Sequence, residues 1–187
     1  MVNLRIPGPT PIPDKVLEAS SQQMVNHRGP EFKEILLRTT KQLQELFVTK
    51  NDLLILTASG TGAMEAAVVN SLSPGDRVLV ISIGVFGERL VQIPRTYGAD
   101  VEVLSVEYGK AVDPEEVRKT LKASPDIKAV LLTHNETSTG VTNDLETIAK
   151  VVKGEFNKLL IVDAVSSIGS IPCPVDKWNL DIVASGS

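Results

Sequence analysis

The stretch that decides the fold is residues 77–106, which read RVLVISIGVFGERLVQIPRTYGADVEVLSV. It opens with a largely apolar run at residues 77–82 and closes with a second one at residues 101–106, and a helix is predicted between them near residues 87–97. Apolar residues at consecutive positions are typical of strands that helices bury on both faces. The stretch therefore predicts a strand–helix–strand unit of a parallel sheet.

The same alternation continues on both sides of this unit. Further strands are predicted at residues 53–57, 129–133, 159–162 and 181–184, and further helices at residues 63–72, 114–123 and 145–156. Strands and helices that alternate in this way predict an α/β protein with a mainly parallel sheet and helices on both of its faces.

The N-terminal part differs in composition from the rest. Residues 6–13 contain four prolines, which exclude a regular helix or a central strand and predict an extended arm over residues 1–13. Asp14 is then expected to cap a helix, and apolar residues at helical spacing predict a longer helix over residues 32–47. We therefore expect an arm at residues 1–13 followed by one α/β domain at residues 14–187.

Composition and charge exclude several classes of protein. The chain has 187 residues, 42% of them hydrophobic and 22% charged, which is ordinary for a globular protein and excludes a disordered one. The net charge of −4 argues against a nucleic-acid binder with a basic face, and no apolar run approaches the roughly 20 residues of a membrane helix. A single cysteine, Cys173, fits a reducing compartment, so we expect a cytoplasmic protein. The two histidines, His27 and His134, are far apart in sequence and do not predict a metal site.

Ligands of open parallel sheets bind beyond the carboxyl ends of the strands. The first candidate there is Ser59-Gly60-Thr61-Gly62, where glycines allow close approach of the backbone and free amides at a helix start favour an anion. A plain turn with a capping serine is the alternative. A dinucleotide fingerprint fits poorly, because Glu65 stands where its third glycine belongs. The segment predicts a phosphate site.

Three further strand ends carry residues that suit a ligand. Phe86 either packs in the core or presents its flat apolar ring to a planar ligand. The polar run at residues 134–140 either caps its own loop or hydrogen-bonds a ligand. Asp163 follows an apolar strand and needs a partner, which a helix amide, an arginine or a cationic ligand atom would supply.

Together these residues describe one ligand. It has an anionic group, a flat ring and a ring atom that favours a carboxylate, and pyridoxal phosphate has all three. A carboxylate beside the pyridine nitrogen keeps that nitrogen protonated, so that the ring withdraws electrons from a substrate carbanion.

With these motifs in the same order, the sequence resembles the class V aminotransferases of fold-type I, in particular the alanine–glyoxylate or serine–pyruvate aminotransferase group. The motifs that carry the resemblance span essentially the whole chain and are residues 7–10, 59–66, 84–89, 134–140 and 162–167. The resemblance implies that residues 14–187 are part of the large domain that binds pyridoxal phosphate, with a C-terminal small domain absent. It also implies a homodimer.

The resemblance further implies a role for each candidate site residue. Ser59, Gly60 and Thr61 would hold the phosphate, Phe86 would stack on the ring, Ser138 would hydrogen-bond near the ring hydroxyl, Asp163 would pair with the ring nitrogen, and Val165 would pack on the opposite ring face. The stacking residue is often tryptophan in this group, so Phe86 keeps the ring but loses the indole donor.

The catalytic lysine is expected outside this chain. In the family that it resembles, the strand that carries residues 185–187 continues into Gln-Lys, and that lysine forms the Schiff base with the cofactor. We therefore expect no catalytic residue within the chain and a lysine just after Ser187. The implied activity of the whole protein moves an amino group from a small amino acid to a 2-oxo acid such as pyruvate or glyoxylate.

Two alternatives remain at this point. One is a pyridoxal-phosphate lyase or cysteine desulfurase, although such enzymes usually stack a histidine where Phe86 stands, and Cys173 lies between Pro172 and Pro174 as a structural residue would. The other is a truncated, non-catalytic chain that binds pyridoxal phosphate or another phosphorylated molecule.

Overall fold

The computed structural model describes residues 4–186. The chain divides into two compact units, residues 1–42 and residues 43–187. None of the helices in the described part of the chain is long and apolar enough to cross a membrane.

The first unit begins with residues 4–13, which form neither helix nor strand. Helix α1 (Asp14–Ser20) follows, and helix α2 (Pro30–Phe47) begins in this unit. The prediction that Asp14 caps α1 is wrong, because the cap is Pro13 in an extended conformation and Asp14 is the first helical residue. An acidic residue is favourable in that first turn, since its charge opposes the positive end of the helix dipole. The division into an arm of residues 1–13 and a domain of residues 14–187 stays a prediction.

The second unit contains the elements that alternate along the sequence. Its helices are α3 (Gly60–Ser71), α4 (Val85–Thr96), α5 (Pro114–Ala123) and α6 (Leu145–Ala149), which continues as a π-helix over Lys150–Glu155. Its long strands are β1 (Arg77–Ser82), β2 (Asp100–Ser105), β3 (Ala129–Thr133), β6 (Leu159–Asp163) and β7 (Ile182–Ala184). A short antiparallel pair, β4 (Asn135–Glu136) and β5 (Val141–Thr142), was not expected from the sequence.

The five long strands form one parallel sheet in the order β2-β1-β3-β6-β7. This confirms the predicted α/β class with a mainly parallel sheet. Strand β1 pairs with β2 on one side and with β3 on the other, so the direction of strand addition reverses between β1 and β3. In open sheets of this kind the ligand crevice lies at such a reversal, beyond the carboxyl ends of the strands.

Helices cover both faces of the sheet, and each face has its own core. Along β1, Leu79 and Ile81 belong to one buried cluster, whereas Val78 and Val80 belong to the other. The first cluster is completed by side chains of α5 and α6, and the second by side chains of α3 and α4. The consecutive apolar residues of the sequence are explained by this arrangement, because both faces of each central strand are removed from water.

One predicted strand is absent from the structure. Residues 53–57 form no strand, and the side chains of Leu54, Ile55 and Leu56 are exposed, Leu54 to 82%. A strand needs a neighbour that takes up its backbone hydrogen bonds, and no strand within residues 4–186 pairs with this segment. The prediction of a strand at residues 53–57 is therefore wrong for this chain, because an apolar run by itself does not provide the pairing partner.

Candidate functional site

Helix α3 begins with open backbone amides. Ser59 is its N-cap, and the Ser59 Oγ accepts a hydrogen bond from the Gly62 amide at 3.2 Å. Within residues 4–186 the amides of Gly60 and Thr61 have no acceptor. Two unpaired N–H groups at the positive end of a helix make a binding place for an anion. Ser59, Gly60 and Thr61 therefore lie at a helix start, although the strand expected before them is absent, and their role toward a phosphate stays a prediction.

Gly60 is closely surrounded by the ends of two strands. A Cβ atom at Gly60 would lie 2.7 Å from the Cγ2 of Val165, so only glycine leaves room for that side chain. The backbone of Gly186, beyond the end of β7, lies against the same residue, because a Cβ at Gly186 would lie 3.1 Å from the Gly60 nitrogen. Val165 and the backbone after β7 therefore lie beside the open amides.

The start of α4 is, by contrast, closed by protein groups. The carboxylate of Glu136 accepts hydrogen bonds from the amides of Phe86, at 3.3 Å, and Gly87, at 3.0 Å. The Ser138 Oγ accepts a third from the Val85 amide at 3.1 Å. Because these amides already have acceptors, an anion has no place there, and α3 is the helix start that remains available.

Glu136 organises this corner and was not singled out in the sequence. Its side chain is fully buried, and its Oε1 also accepts hydrogen bonds from the amide and the hydroxyl of Ser138, at 3.1 and 2.7 Å. Ser138 is thus held beside α4, which fixes the position of a residue expected to lie near the ring hydroxyl. A signal was present in the sequence, because a helix that starts after Gly84 has no side-chain cap of its own and needs an acceptor from elsewhere.

Asp163 lies at the carboxyl end of β6 and is mostly buried. Its Oδ1 accepts a hydrogen bond from the Val165 amide at 3.0 Å, and it forms no ion pair within residues 4–186. Burial raises the pKa of its carboxyl group and the negative charge of Glu136 acts in the same direction, whereas the Val165 amide and the charge of Arg89 lower it. A carboxylate in this setting favours a cationic partner, which a protonated ring nitrogen would supply.

The side chain of Arg89 contacts both Phe86 and Thr61. The Cζ of Arg89 lies 5.0 Å from the centroid of the half-buried Phe86 ring, and its Nη1 donates a hydrogen bond to the Thr61 Oγ1 at 3.3 Å. Arg89 belongs to the motif at residues 84–89, but the sequence predicted no role for it. The available signal was its spacing from Phe86, since residues three apart share one face of a helix.

Two further titratable side chains, those of His134 and Cys173, are buried. His134 is buried, its amide donates to the Asp163 carbonyl at 2.8 Å, and its ring lies edge-to-face with Trp178 at 6.0 Å. Burial lowers the pKa of His134 and raises that of Cys173 to about 11, so at neutral pH both side chains are uncharged. Within residues 4–186 no group of three or more His, Cys, Asp or Glu side chains is placed to hold a metal ion.

The fold is that of the large domain of a fold-type I aminotransferase. An aromatic ring follows β1 and a mostly buried carboxylate ends β6, and the open amides of α3 lie beside Val165, which follows β6. The chain belongs to the aminotransferase class-V family, whose sequence profile matches residues 2–187. This confirms the resemblance that the sequence motifs indicated.

Relatives in this family carry several names. The chain is 48% identical over 186 residues to the soluble hydrogenase 42 kDa subunit of Anabaena cylindrica, with 98% of this chain and 49% of that protein covered. It is 37% identical to a serine–glyoxylate aminotransferase of Methylorubrum extorquens, with 99% and 47% covered. Among solved structures, alanine–glyoxylate aminotransferase from Nostoc sp. matches with a TM-score of 0.92 at 36% identity, with 96% and 48% covered.

The chain spans about half the length of the curated relatives that it matches. Their names therefore describe proteins with a second half that has no counterpart in residues 1–187. The hydrogenase name belongs to the Anabaena cylindrica protein and is not carried over to this chain.

Proposed function

We propose that the whole protein is a pyridoxal-phosphate-dependent aminotransferase and that this chain is its N-terminal, cofactor-binding part. It would move an amino group from a small amino acid to a 2-oxo acid such as glyoxylate or pyruvate. The names of the relatives in Methylorubrum extorquens and Nostoc sp. support an aminotransferase that uses glyoxylate.

The single observation that carries this proposal is the arrangement at the strand ends. The unpaired amides of Gly60 and Thr61, the close approach of Val165 to Gly60, and the buried carboxylate of Asp163 lie together there. These features fit the chemistry of the cofactor. Ser59, Gly60 and Thr61 would hold its phosphate, Phe86 and Val165 would contact the two faces of its ring, Ser138 would hydrogen-bond near its hydroxyl, and Asp163 would pair with its nitrogen.

When bound, the cofactor supplies a ring that withdraws electrons from the reacting carbon of the substrate. Asp163 would contribute by favouring a proton on the ring nitrogen, because its carboxyl group is mostly buried and forms no ion pair within residues 4–186. Glu136 contributes by fixing the start of α4, and with it the position of Phe86. The polypeptide thus binds and orients the ring and holds a proton at one defined atom.

The remaining parts of the enzyme are proposed to lie outside residues 1–187. These are the lysine expected just after Ser187, the arginine that binds the substrate carboxylate and the small domain. The backbone at Gly186 lies against Gly60, at the proposed phosphate site. We further propose that the whole protein is a cytoplasmic homodimer, as the resemblance and the single cysteine imply.

Equilibrium dialysis against pyridoxal phosphate, followed by borohydride reduction and mass spectrometry, tests the proposal for the chain itself. We expect saturable binding with no covalent adduct at a defined lysine, because the catalytic lysine lies outside the chain. A chain that binds no pyridoxal phosphate would contradict the proposal. For the whole protein, we expect glycine to form from glyoxylate when serine or alanine is supplied, and an inactive whole protein would contradict the assigned reaction.

A further inference from the structure

Arg89 contacts two of the proposed cofactor residues at once. It lies three residues after Phe86 on α4, and its guanidinium carbon is 5.0 Å from the centroid of the Phe86 ring, within the range of a cation–π interaction. Its Nη1 donates to the Thr61 hydroxyl at 3.3 Å, at the start of α3. The guanidinium therefore lies between the ring proposed to stack on the cofactor and the hydroxyl proposed to bind its phosphate.

The guanidinium of Arg89 is free to take an anion. Within residues 4–186, Arg77 is paired with Glu102 and Asp126, and Arg118 with Glu155, whereas Arg89 forms no ion pair. Its planar head carries five N–H donors, and the hydrogen bond to Thr61 uses one of them. Such a fork is suited to two parallel hydrogen bonds with phosphate oxygens.

Two acidic side chains on this side of the sheet favour a cation among the partners of an anionic ligand. Glu136 is fully buried, Asp163 is mostly buried, and neither is in an ion pair within the described residues. Their negative charges would repel a phosphate near them. The guanidinium of Arg89, which contacts the Thr61 hydroxyl and the Phe86 ring, brings a positive charge to the start of α3 and would offset that repulsion.

We propose that Arg89 supplies the positive charge of the phosphate subsite, binding the phosphate of the cofactor together with the amides of Gly60 and Thr61. This inference rests on the proposed function and assigns one more binding residue to the same site. The group that Arg89 would bind is a phosphate monoester. The contact between Arg89 and Phe86 places the Arg89 side chain beside the aromatic ring of Phe86.

The test measures the affinity of the full chain for pyridoxal 5′-phosphate, for pyridoxal, which lacks the phosphate, and for inorganic phosphate. Arg89→Met removes the charge and keeps an apolar stem, and Arg89→Lys keeps the charge without the planar fork. Arg95→Met is the matched control, because Arg95 is an exposed arginine further along α4. We expect Arg89→Met to weaken pyridoxal phosphate and inorganic phosphate by roughly tenfold or more and to leave pyridoxal unchanged.

The outcomes separate this inference from the proposed function. Partial retention of phosphate affinity in Arg89→Lys and unchanged affinities in Arg95→Met would support the inference. Equal loss of pyridoxal and pyridoxal phosphate would assign Arg89 to the ring alone and overturn it, as would tighter binding of pyridoxal phosphate by Arg89→Met. If the unaltered chain binds inorganic phosphate, Arg89→Met loses that binding, and neither pyridoxal compound binds, Arg89 is supported as part of a phosphate subsite and the proposed function is contradicted. A chain that binds none of the three ligands overturns both.

Discussion

At the scale of single residues, the burial of the Asp163 carboxyl group has a cost in free energy. Asp163 is mostly buried, accepts a hydrogen bond from the Val165 amide, and forms no ion pair within residues 4–186. Burial raises the pKa of its carboxyl group above the ordinary 3.8, so the folded chain favours the protonated form more than the unfolded chain does. The contribution of this group to stability is therefore present below pH 3.8 and is lost as the pH rises through the raised pKa.

We predict that Asp163→Asn stabilises the cofactor-free chain at neutral pH and weakens its binding of pyridoxal phosphate. The amide keeps an acceptor for Val165 without the cost of a buried charge, so the free energy of unfolding should rise by roughly 1 kcal/mol. The gain should grow in denaturant titrations as the pH rises from about 3.8 through the raised pKa of Asp163, because over that range the unfolded chain has lost the proton of this carboxyl group whereas the native chain still holds it.

Asp181→Asn is the matched control for this prediction. Asp181 accepts a hydrogen bond from the Leu160 amide at 2.7 Å and pairs with Lys153 at 2.8 Å, near the start of β6 and so at the opposite end of the strand. Its variant should lose roughly 1–2 kcal/mol of stability and keep its cofactor affinity. An Asp163→Asn chain that binds pyridoxal phosphate as tightly as the unaltered chain would contradict the assigned role of Asp163.

At the scale of elements, α3 and α4 have similar starts in the sequence but differ in whether their first backbone amides are hydrogen-bonded. Each helix starts near a glycine beyond a strand or an apolar run, but Glu136 and Ser138 saturate the start of α4, whereas the amides of Gly60 and Thr61 stay open. This difference depends on the absence of a side chain at Gly84, which lets Glu136 and Ser138 reach the start of α4. A Cβ atom there would lie 2.5 Å from the Glu136 Cγ and 2.7 Å from the Ser138 Oγ.

We predict that Gly84→Ala destabilises the chain by roughly 1–3 kcal/mol, because the added methyl group forces a buried carboxylate away from the amides that it binds. Its cofactor affinity should fall as well, since Phe86 and Ser138 lose their anchor. Thermal and denaturant unfolding measure the first effect and equilibrium dialysis the second.

Gly154→Ala is the control for this glycine. A Cβ at Gly154 would meet no atom within 4 Å, and the residue lies in a helix, so its variant should be unchanged or more stable by about 0.4–1 kcal/mol. Equal unfolding midpoints for Gly84→Ala and the unaltered chain would show that Glu136 moves without cost and that it does not fix α4.

At the scale of the whole molecule, apolar surface remains uncovered. Leu54 and Ile55 are 82% and 50% exposed in a segment that has the composition of a buried strand. The relatives are about twice as long as this chain, which fits a segment whose partner belongs to the other half. Exposed contiguous apolar residues promote association between copies.

We predict that the 187-residue chain self-associates and that Leu54→Gln combined with Ile55→Thr reduces this association. Sedimentation velocity over a range of concentrations measures it. The double variant should keep its free energy of unfolding within about 0.5 kcal/mol, because the two side chains are exposed. Met24→Gln is the control, since Met24 is a single exposed side chain and its variant should associate as before. A monomeric unaltered chain at every concentration would contradict the prediction.

The sequence by itself determined the class of fold and predicted where a ligand site would lie. Consecutive apolar residues such as those at 77–82 indicate a strand that is buried on both faces. This information is local, because each apolar side chain by itself indicates that its position is removed from water. Residues that follow such runs lie at one edge of a parallel sheet, and this rule assigns Phe86, Ser138 and Asp163 to one region. Ser59 follows residues 53–57, which form no strand in this chain, so the rule does not explain its place.

Only the tertiary structure decided which groups meet within that region. Glu136 binds amides at Phe86 and Gly87, Arg89 reaches Thr61, and residues 53–57 remain unpaired. Whether such a contact or strand pairing forms depends on residues far apart in the chain. Neither the periodicity of the sequence nor the residue type carries that information. The physical reason is that a hydrogen bond or an ion pair satisfies a specific donor and acceptor, whereas the hydrophobic effect that patterns the sequence requires only removal from water.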